Sequence, residues 1–446
     1  MLIGALMSML GQGIAQAQNP TASPGSSAGT QVMASSSIRI AGHVAKYDAH
    51  GQLLPWTSWT DAIEREMEWY LRCPWENGYP RFVQITFMGG DYGASRRDTI
   101  PAMQNGMGIL SYLEYYHWKK ESDPRILKIA RSMGDFLVKE TLTPDTGAYP
   151  RFTRSTGWRG QLPLQADSGS QADLPYEVEP DKAGIAGYAL MLLYEETNDP
   201  RYLQQALQNA RVLARNKTAG DETHSPWPFR VDYRTGEAHG PVSSDMSYIL
   251  RLFDKLIAHG YTEFDKPRAE LWTWIRTVQI PNIDKPNLKE GGTLWVQFFE
   301  DYDLAGNRNS WAPLNMARYL VERRETLDPN WNPDAKKLID FAIRNFTTIR
   351  FGVFTCGEQD DDTEPWGGAS STFGGVLAQY AAATGDTEYK GLAWQALTLA
   401  LYSTDEDGSP RASVLKQSRG GWQEDAHTDK IHNLIDALRV FPEWAR

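Results

Sequence analysis

One piece of turn chemistry recurs along the chain and limits what it can fold into. Glu121-Ser122-Asp123-Pro124-Arg125 and Thr197-Asn198-Asp199-Pro200-Arg201 are near copies, and Thr326-Leu327-Asp328-Pro329 and Thr384-Gly385-Asp386-Thr387 are looser versions. An Asp side chain caps a helix N-terminus, and Pro fits the first helical position, where its missing N–H has no partner to lose. Each segment therefore ends one helix and starts the next, giving a helical hairpin. The helices before the turns, such as residues 183–194 and 373–383, are apolar nearly all round and belong in an interior. The helices after them are amphipathic, with Leu203, Ala206, Leu207, Ala210 and Leu213 on one face.

Inner helices are expected to start near residues 101, 181, 242, 311, 368 and 426, and outer helices near 124, 200, 264, 333 and 387. A further outer helix at about 59–72 has the last inner helix as its only available partner. At the usual domain size, 446 residues divide into three domains. The repeat reduces them to one all-α (α/α)6 toroid over residues 55–446, with minor β-structure in the loops. An open superhelix is the alternative; the lone outer helix at the start, matched to a lone inner helix at the end, favours closure.

The connections from outer to inner helix are long, roughly 73–100, 139–180, 216–241, 279–310, 347–367 and 402–425, and all emerge at one end of the ring. Long loops on one face of a compact domain are where function concentrates. Each carries a tryptophan: Trp75, Trp158, Trp227, Trp295, Trp366 and Trp422. The chain has 16 Trp and 20 Tyr, more than a core alone needs. Six rings on one face offer flat apolar platforms for sugar C–H faces; the alternative is that each Trp plugs its own loop.

The net charge of −11 excludes a nucleic-acid partner, which demands a basic face. Residues 1–17 end in Ala15-Gln16-Ala17 and read as a signal peptide, so a secreted or periplasmic location is expected. Residues 18–54 read as a flexible linker and lead-in. No other segment is apolar enough to span a bilayer. Cys73 and Cys356 can pair in an oxidising compartment but cannot form a disulfide scaffold. No CxxC, HExxH, Walker or GxGxxG motif is present, so neither a metal nor a nucleotide cofactor is expected.

With its six hairpins and Trp-bearing loop face, residues 55–446 resemble the (α/α)6-toroid carbohydrate-active enzymes, which include glycoside hydrolases, uronate polysaccharide lyases and glucuronyl epimerase domains. The resemblance implies an oligo- or polysaccharide substrate and a cleft at the long-loop end. It rests on architecture and singles out no one family.

Several positions at that end carry suitable chemistry. The last loop supplies Asp425 and His427 at an inner-helix entrance, where an acidic residue is also a natural cap, while His432 reads as a satisfied core histidine. The fifth loop packs Glu358, Asp360, Asp361, Asp362 and Glu364 beside Trp366. Crowded carboxylates raise one another's pKa, and glycoside hydrolysis needs one protonated and one ionised carboxyl. Calcium suits such oxygens, although EF-hand spacing is absent. The fourth loop offers Tyr302, Arg308 and Asn309, the groups that uronate elimination needs. The third adds His239 and Asp245, and the second ends in Glu179 and Asp181. Arg97 and Arg308 suit a sugar carboxylate. The expected activity is therefore hydrolysis of an acidic, uronate-containing glycan, with Asp362, Asp425, His427, Tyr302 and Asp245 as candidate catalytic residues. A uronate lyase or epimerase and a non-catalytic glycan-binding protein are the alternatives.

Overall fold

A computed structural model describes residues 38–445 apart from 86, 97–99, 156–175, 286–293, 297–306, 361, 416–419 and 423–427. The expected signal peptide lies outside the described residues. Among them, twelve helices of ten residues or more follow one another: α1 (Trp59–Leu71), α2 (Pro101–Trp118), α3 (Pro124–Glu140), α4 (Pro180–Thr197), α5 (Pro200–Asn216), α6 (Ser247–Ala258), α7 (Asp265–Trp274), α8 (Trp311–Arg323), α9 (Trp331–Phe346), α10 (Gly367–Thr384), α11 (Thr387–Leu401) and α12 (Ile431–Val440). The even-numbered helices pack side by side in order, and α12 returns to α2. Each odd-numbered helix lies outside its hairpin partner, with α1 against α12. The chain is a closed (α/α)6 toroid, and the open superhelix is excluded.

The turns are made as their residues dictate. Asp123 accepts the Arg125 amide at 3.0 Å, Asp199 that of Arg201 at 3.0 Å, Asp328 that of Asn330 at 2.8 Å and Asp386 that of Glu388 at 2.9 Å. The turn from α6 to α7 has no Asp-Pro and is instead made at Gly260, whose φ of +90° suits only glycine. Two inner helices start later than the sequence predicts. Before α6, the Ser243 amide donates to Ser225 Oγ at 2.8 Å, so the segment is tied to the preceding loop and the helix begins only at Ser247. Before α12, a π-turn over residues 428–430 takes up the chain.

The seam where the ring closes is aromatic. Trp59 of α1 stacks on Trp394 of α11 with centroids 5.4 Å apart, and Trp444 lies 5.3 Å from Trp59 and 5.4 Å from Trp394. Part of the tryptophan surplus is spent here, holding the first helix to the last. Residues 39–54, expected to be lead-in chain, form two small hairpins, Arg39–Ile40 with His43–Val44 and Lys46–Tyr47 with Leu53–Leu54. Their Ile40 and Leu53 are buried with Val353, Leu399, Tyr402 and Val414. Among the described residues no helix is long and apolar enough to cross a membrane.

Candidate active site

The loop tryptophans divide by environment. Trp227 and Trp295 have no exposed surface, and their indole N–H groups donate to Leu213 O at 3.0 Å and Gln279 O at 2.8 Å. Those carbonyls lie in the last turns of outer helical segments, where backbone acceptors lack intrahelical donors. Each of the two rings closes its loop by capping the outer helix before it, and neither presents a face to a ligand. Trp366 is nearly buried and donates to Asp362 Oδ2 at 2.8 Å. Trp75 is 43% exposed, with Lys128 Nζ 4.5 Å from its ring centroid. Trp422 pairs through its backbone with Phe87. Trp158, Tyr302, Asp425, His427 and Arg97 lie outside the described residues. We expect Trp227→Ala to cost about 3–5 kcal/mol in chemical denaturation, the range for deleting a buried aromatic. Trp75→Ala should stay within about 0.5 kcal/mol of the parent.

Several loop charges are committed to one another. Arg308 grips Asp360 through two hydrogen bonds of 2.8 and 2.7 Å. Asp362 accepts the Trp366 indole and the Glu364 amide, an arrangement that folds the fifth loop. His239 contacts Glu177 across a small sheet. Glu179 is fully buried, with Arg230 at 3.2 Å and Lys182 at 3.9 Å. The two cysteines are buried and unpaired.

Asp245 is placed differently. Just before α6, it accepts hydrogen bonds from the Ser247 amide (3.1 Å), Ser247 Oγ (2.6 Å) and Asn315 Nδ2 of α8 (2.9 Å). It keeps some accessible surface while burial raises its pKa, as expected of a side chain lining a cavity. Lys182, ion-paired to Asp181 at 3.0 Å, lies within its electrostatic reach.

Partly exposed side chains on the inner helices include Glu114, Tyr188, Arg251, Asn315, Gln379 and His432. Glu114, His432 and Gln379 are linked through one another and Asp436. His432 Nδ1 lies 2.8 Å from Glu114 Oε2, and its Nε2 lies 3.5 Å from Asp436 Oδ2. Gln379 donates to Asp436 at 2.8 Å, and Arg318 reaches Asp436 at 3.5 Å and also bonds Asn433. Glu114, His432 and Asp436 are close enough to share an ion, but Arg439 contacts Glu114, and Arg318 and Arg439 both lie 3.5 Å from Asp436. Two guanidiniums already neutralise these carboxylates, so the set is a charge network and a poor cation site.

Asp429 stands out electrostatically. It lies in the π-turn before α12 and is 6% exposed. Burial pushes its pKa up to about 7, with His432 and Arg318 pulling the other way. Among the described residues its carboxylate has a single weak donor, Thr428 Oγ1 at 3.4 Å. Burial raises the pKa of Tyr248, on which both Asp245 and Asp429 also act electrostatically. His432 is desolvated, yet Glu114 and Asp436 outweigh that and raise its pKa. The sequence reading missed Asp429, Arg318 and Glu114 and took His432 for core. The available signal was a charged residue in the body of a mostly buried helix, as at Glu114 and Arg318.

No protein-family model and no curated protein sequence matches the chain. Solved structures do match in fold. The cellobiose 2-epimerase of Spirochaeta thermophila is similar with a TM-score of 0.60 at 13% identity, over 86% of this chain and 95% of that one. The GH76 alpha-mannanase of Bacteroides thetaiotaomicron gives 0.52 at 12% identity, over 87% and 97%. A polysaccharide lyase gives 0.53 at 15% identity, over 85% of this chain and 52% of that one. The fold is thus the (α/α)6 toroid that carbohydrate-active enzymes carry.

Proposed function

We propose that the chain is a carbohydrate-active enzyme, a glycoside hydrolase in which Asp429 donates the proton and Asp245 acts as the ionised partner. The observation that carries this reading is the contrast between two buried carboxyls before inner helices, Asp429 and Asp245, whose hydrogen-bond surroundings differ. Asp429 is buried and has one weak donor among the described residues, which favours its protonated form. Asp245 is desolvated too but accepts three hydrogen bonds, and those favour its anion. Similarity of fold to a mannanase, an epimerase and a polysaccharide lyase supports sugar chemistry in general. The leader read in residues 1–17 supports action outside the cytoplasm.

A second reading, epimerisation or uronate elimination, is favoured by one observation: an imidazole held in the lumen between two carboxylates can move a proton on carbon. A panel of oligosaccharides with and without uronic acid, incubated in D2O, separates the two. Hydrolysis releases new reducing ends and leaves carbon-bound hydrogens in place. Epimerisation introduces deuterium on carbon without new ends, and elimination leaves an unsaturated uronate. Under the hydrolase reading Asp245→Asn should lower kcat by about 10²–10⁴-fold. Full activity in that variant would remove Asp245 from the mechanism.

A further inference from the structure

The Glu66–Lys430 ion pair sits behind the lumen wall, and its chemistry is out of proportion to its structural need. Both side chains are at most 1% exposed, with Nζ 2.5 Å from Oε2. Lys430 Nζ also donates to Ser403 Oγ at 3.0 Å and Thr404 Oγ1 at 3.1 Å, so its three protons are all used. Thr404 Oγ1 in turn donates to Glu66 Oε2 at 2.5 Å. A buried ion pair of this kind costs desolvation that an apolar pair of similar volume avoids, so stability alone is a poor reason for it. What it does supply is direction. It ties the entrance of the last inner helix to α1 and to the chain just after α11.

Lys430 follows Asp429 directly in the π-turn. Lys430 is anchored outward against α1, while Asp429 interacts inward with His432 and Arg318. The next helical turn is held in register from the same point: Asn433 Nδ2 donates to Asp429 O at 2.6 Å and to Thr372 Oγ1 at 3.2 Å, and its Oδ1 accepts from Arg318. Rotation of this turn about its axis would swing the Asp429 carboxyl and the Arg318 anchor together. We infer that the buried Glu66–Lys430 pair, bridged by Thr404, is a positioning latch that aims the Asp429 carboxyl into the lumen. The inference rests on the proposed role of Asp429 for its catalytic consequence, but not for its structural one.

The test uses the full chain with Glu66→Leu, Lys430→Met and the double variant. Each single variant leaves one charge buried alone and should melt well below the parent. The double variant replaces the pair by apolar groups and should recover most of that loss. If the pair only stabilises, the double variant also recovers kcat and backbone protection. If it positions, the double variant stays about 10–100-fold low in kcat on the panel oligosaccharide that the parent cleaves fastest, at unchanged KM. Amide exchange at residues 428–434 should also be faster, while α4 and α10 stay protected. Should the double variant fail to fold, Thr404→Val removes only the bridging hydroxyl and is read in the same way. If the parent cleaves nothing, the hydrolase reading falls, and exchange at 428–434 still decides the latch: faster exchange supports it and parental exchange overturns it.

Discussion

Asp429→Asn is expected to lower turnover by about 10²–10⁴-fold with little change in KM, because asparagine keeps the shape of the carboxyl and lacks its acidic proton. The pKa that makes Asp429 a donor also dictates two pH effects. Parent activity should fall as pH rises through about 7, where the donor loses its proton. Stability should move the same way. The folded pKa is raised above the ordinary 3.8, so the carboxyl's favourable contribution is complete below about pH 4 and is lost as pH climbs to about 7. At about 1.4 kcal/mol per unit the total is at most about 4 kcal/mol. Above pH 7 the Asn variant, which has nothing to ionise, should therefore be inactive and more stable than the parent. Denaturation midpoints at pH 5 and pH 8, measured beside kcat, check both halves. An active variant would remove Asp429 from proton transfer; an inactive one whose stability advantage does not grow with pH would show that the carboxyl ionises freely in the fold.

How much of this was legible in the sequence depends on how local the cause is. The hairpins were legible because an Asp-Pro pair acts within one turn, and Asp123, Asp199 and Asp328 cap backbone amides two residues on. Ring closure was legible because a helix left over at each end can be counted. The loop tryptophans were found but not their use, since a platform and a plug look alike until the chain folds over them. Trp227 reaches a carbonyl 14 residues back and Trp295 one 16 residues back, across loops whose path the sequence does not reveal. Of the candidate acids, Asp245 bonds Asn315 on the next inner helix, whereas Asp362 is taken up in folding its own loop. The rest of the lumen comes from residues as far apart as Glu114 and Asp436. They lie on different inner helices, and only the ring brings them together.

A large loss of stability is also expected at Gly408, in the loop that follows α11 and lies against α1. Its φ is +88°, and a Cβ there would lie 2.0 Å from the carbonyl oxygen of Arg65 and 2.7 Å from its carbonyl carbon. Both atoms belong to the backbone of α1, so no side chain can turn aside to make room. The backbone conformation alone costs alanine about 1–2 kcal/mol, and the overlap requires the loop and α1 to separate. Separation would break the bonds from Arg65 Nη1 to Glu406 O (2.8 Å) and from Arg72 Nη2 to Asp407 O (3.3 Å), which fasten this loop to α1. It would also pull Thr404 away from Glu66. Gly408→Ala should therefore cost about 3–5 kcal/mol, a large part of the 5–15 kcal/mol that folded domains have to lose. Gly391→Ala on the outer helix α11, where a Cβ meets nothing within 4 Å, is the matched control. It should stabilise the chain by about 0.5–1 kcal/mol, as Gly to Ala does in a helix. If the two variants unfold at the same denaturant concentration, the loop is not part of the ring closure. If Gly408→Ala unfolds early and its surviving folded fraction exchanges rapidly at residues 428–434, one loop both fastens the first helix to the last and carries the anchor behind Asp429.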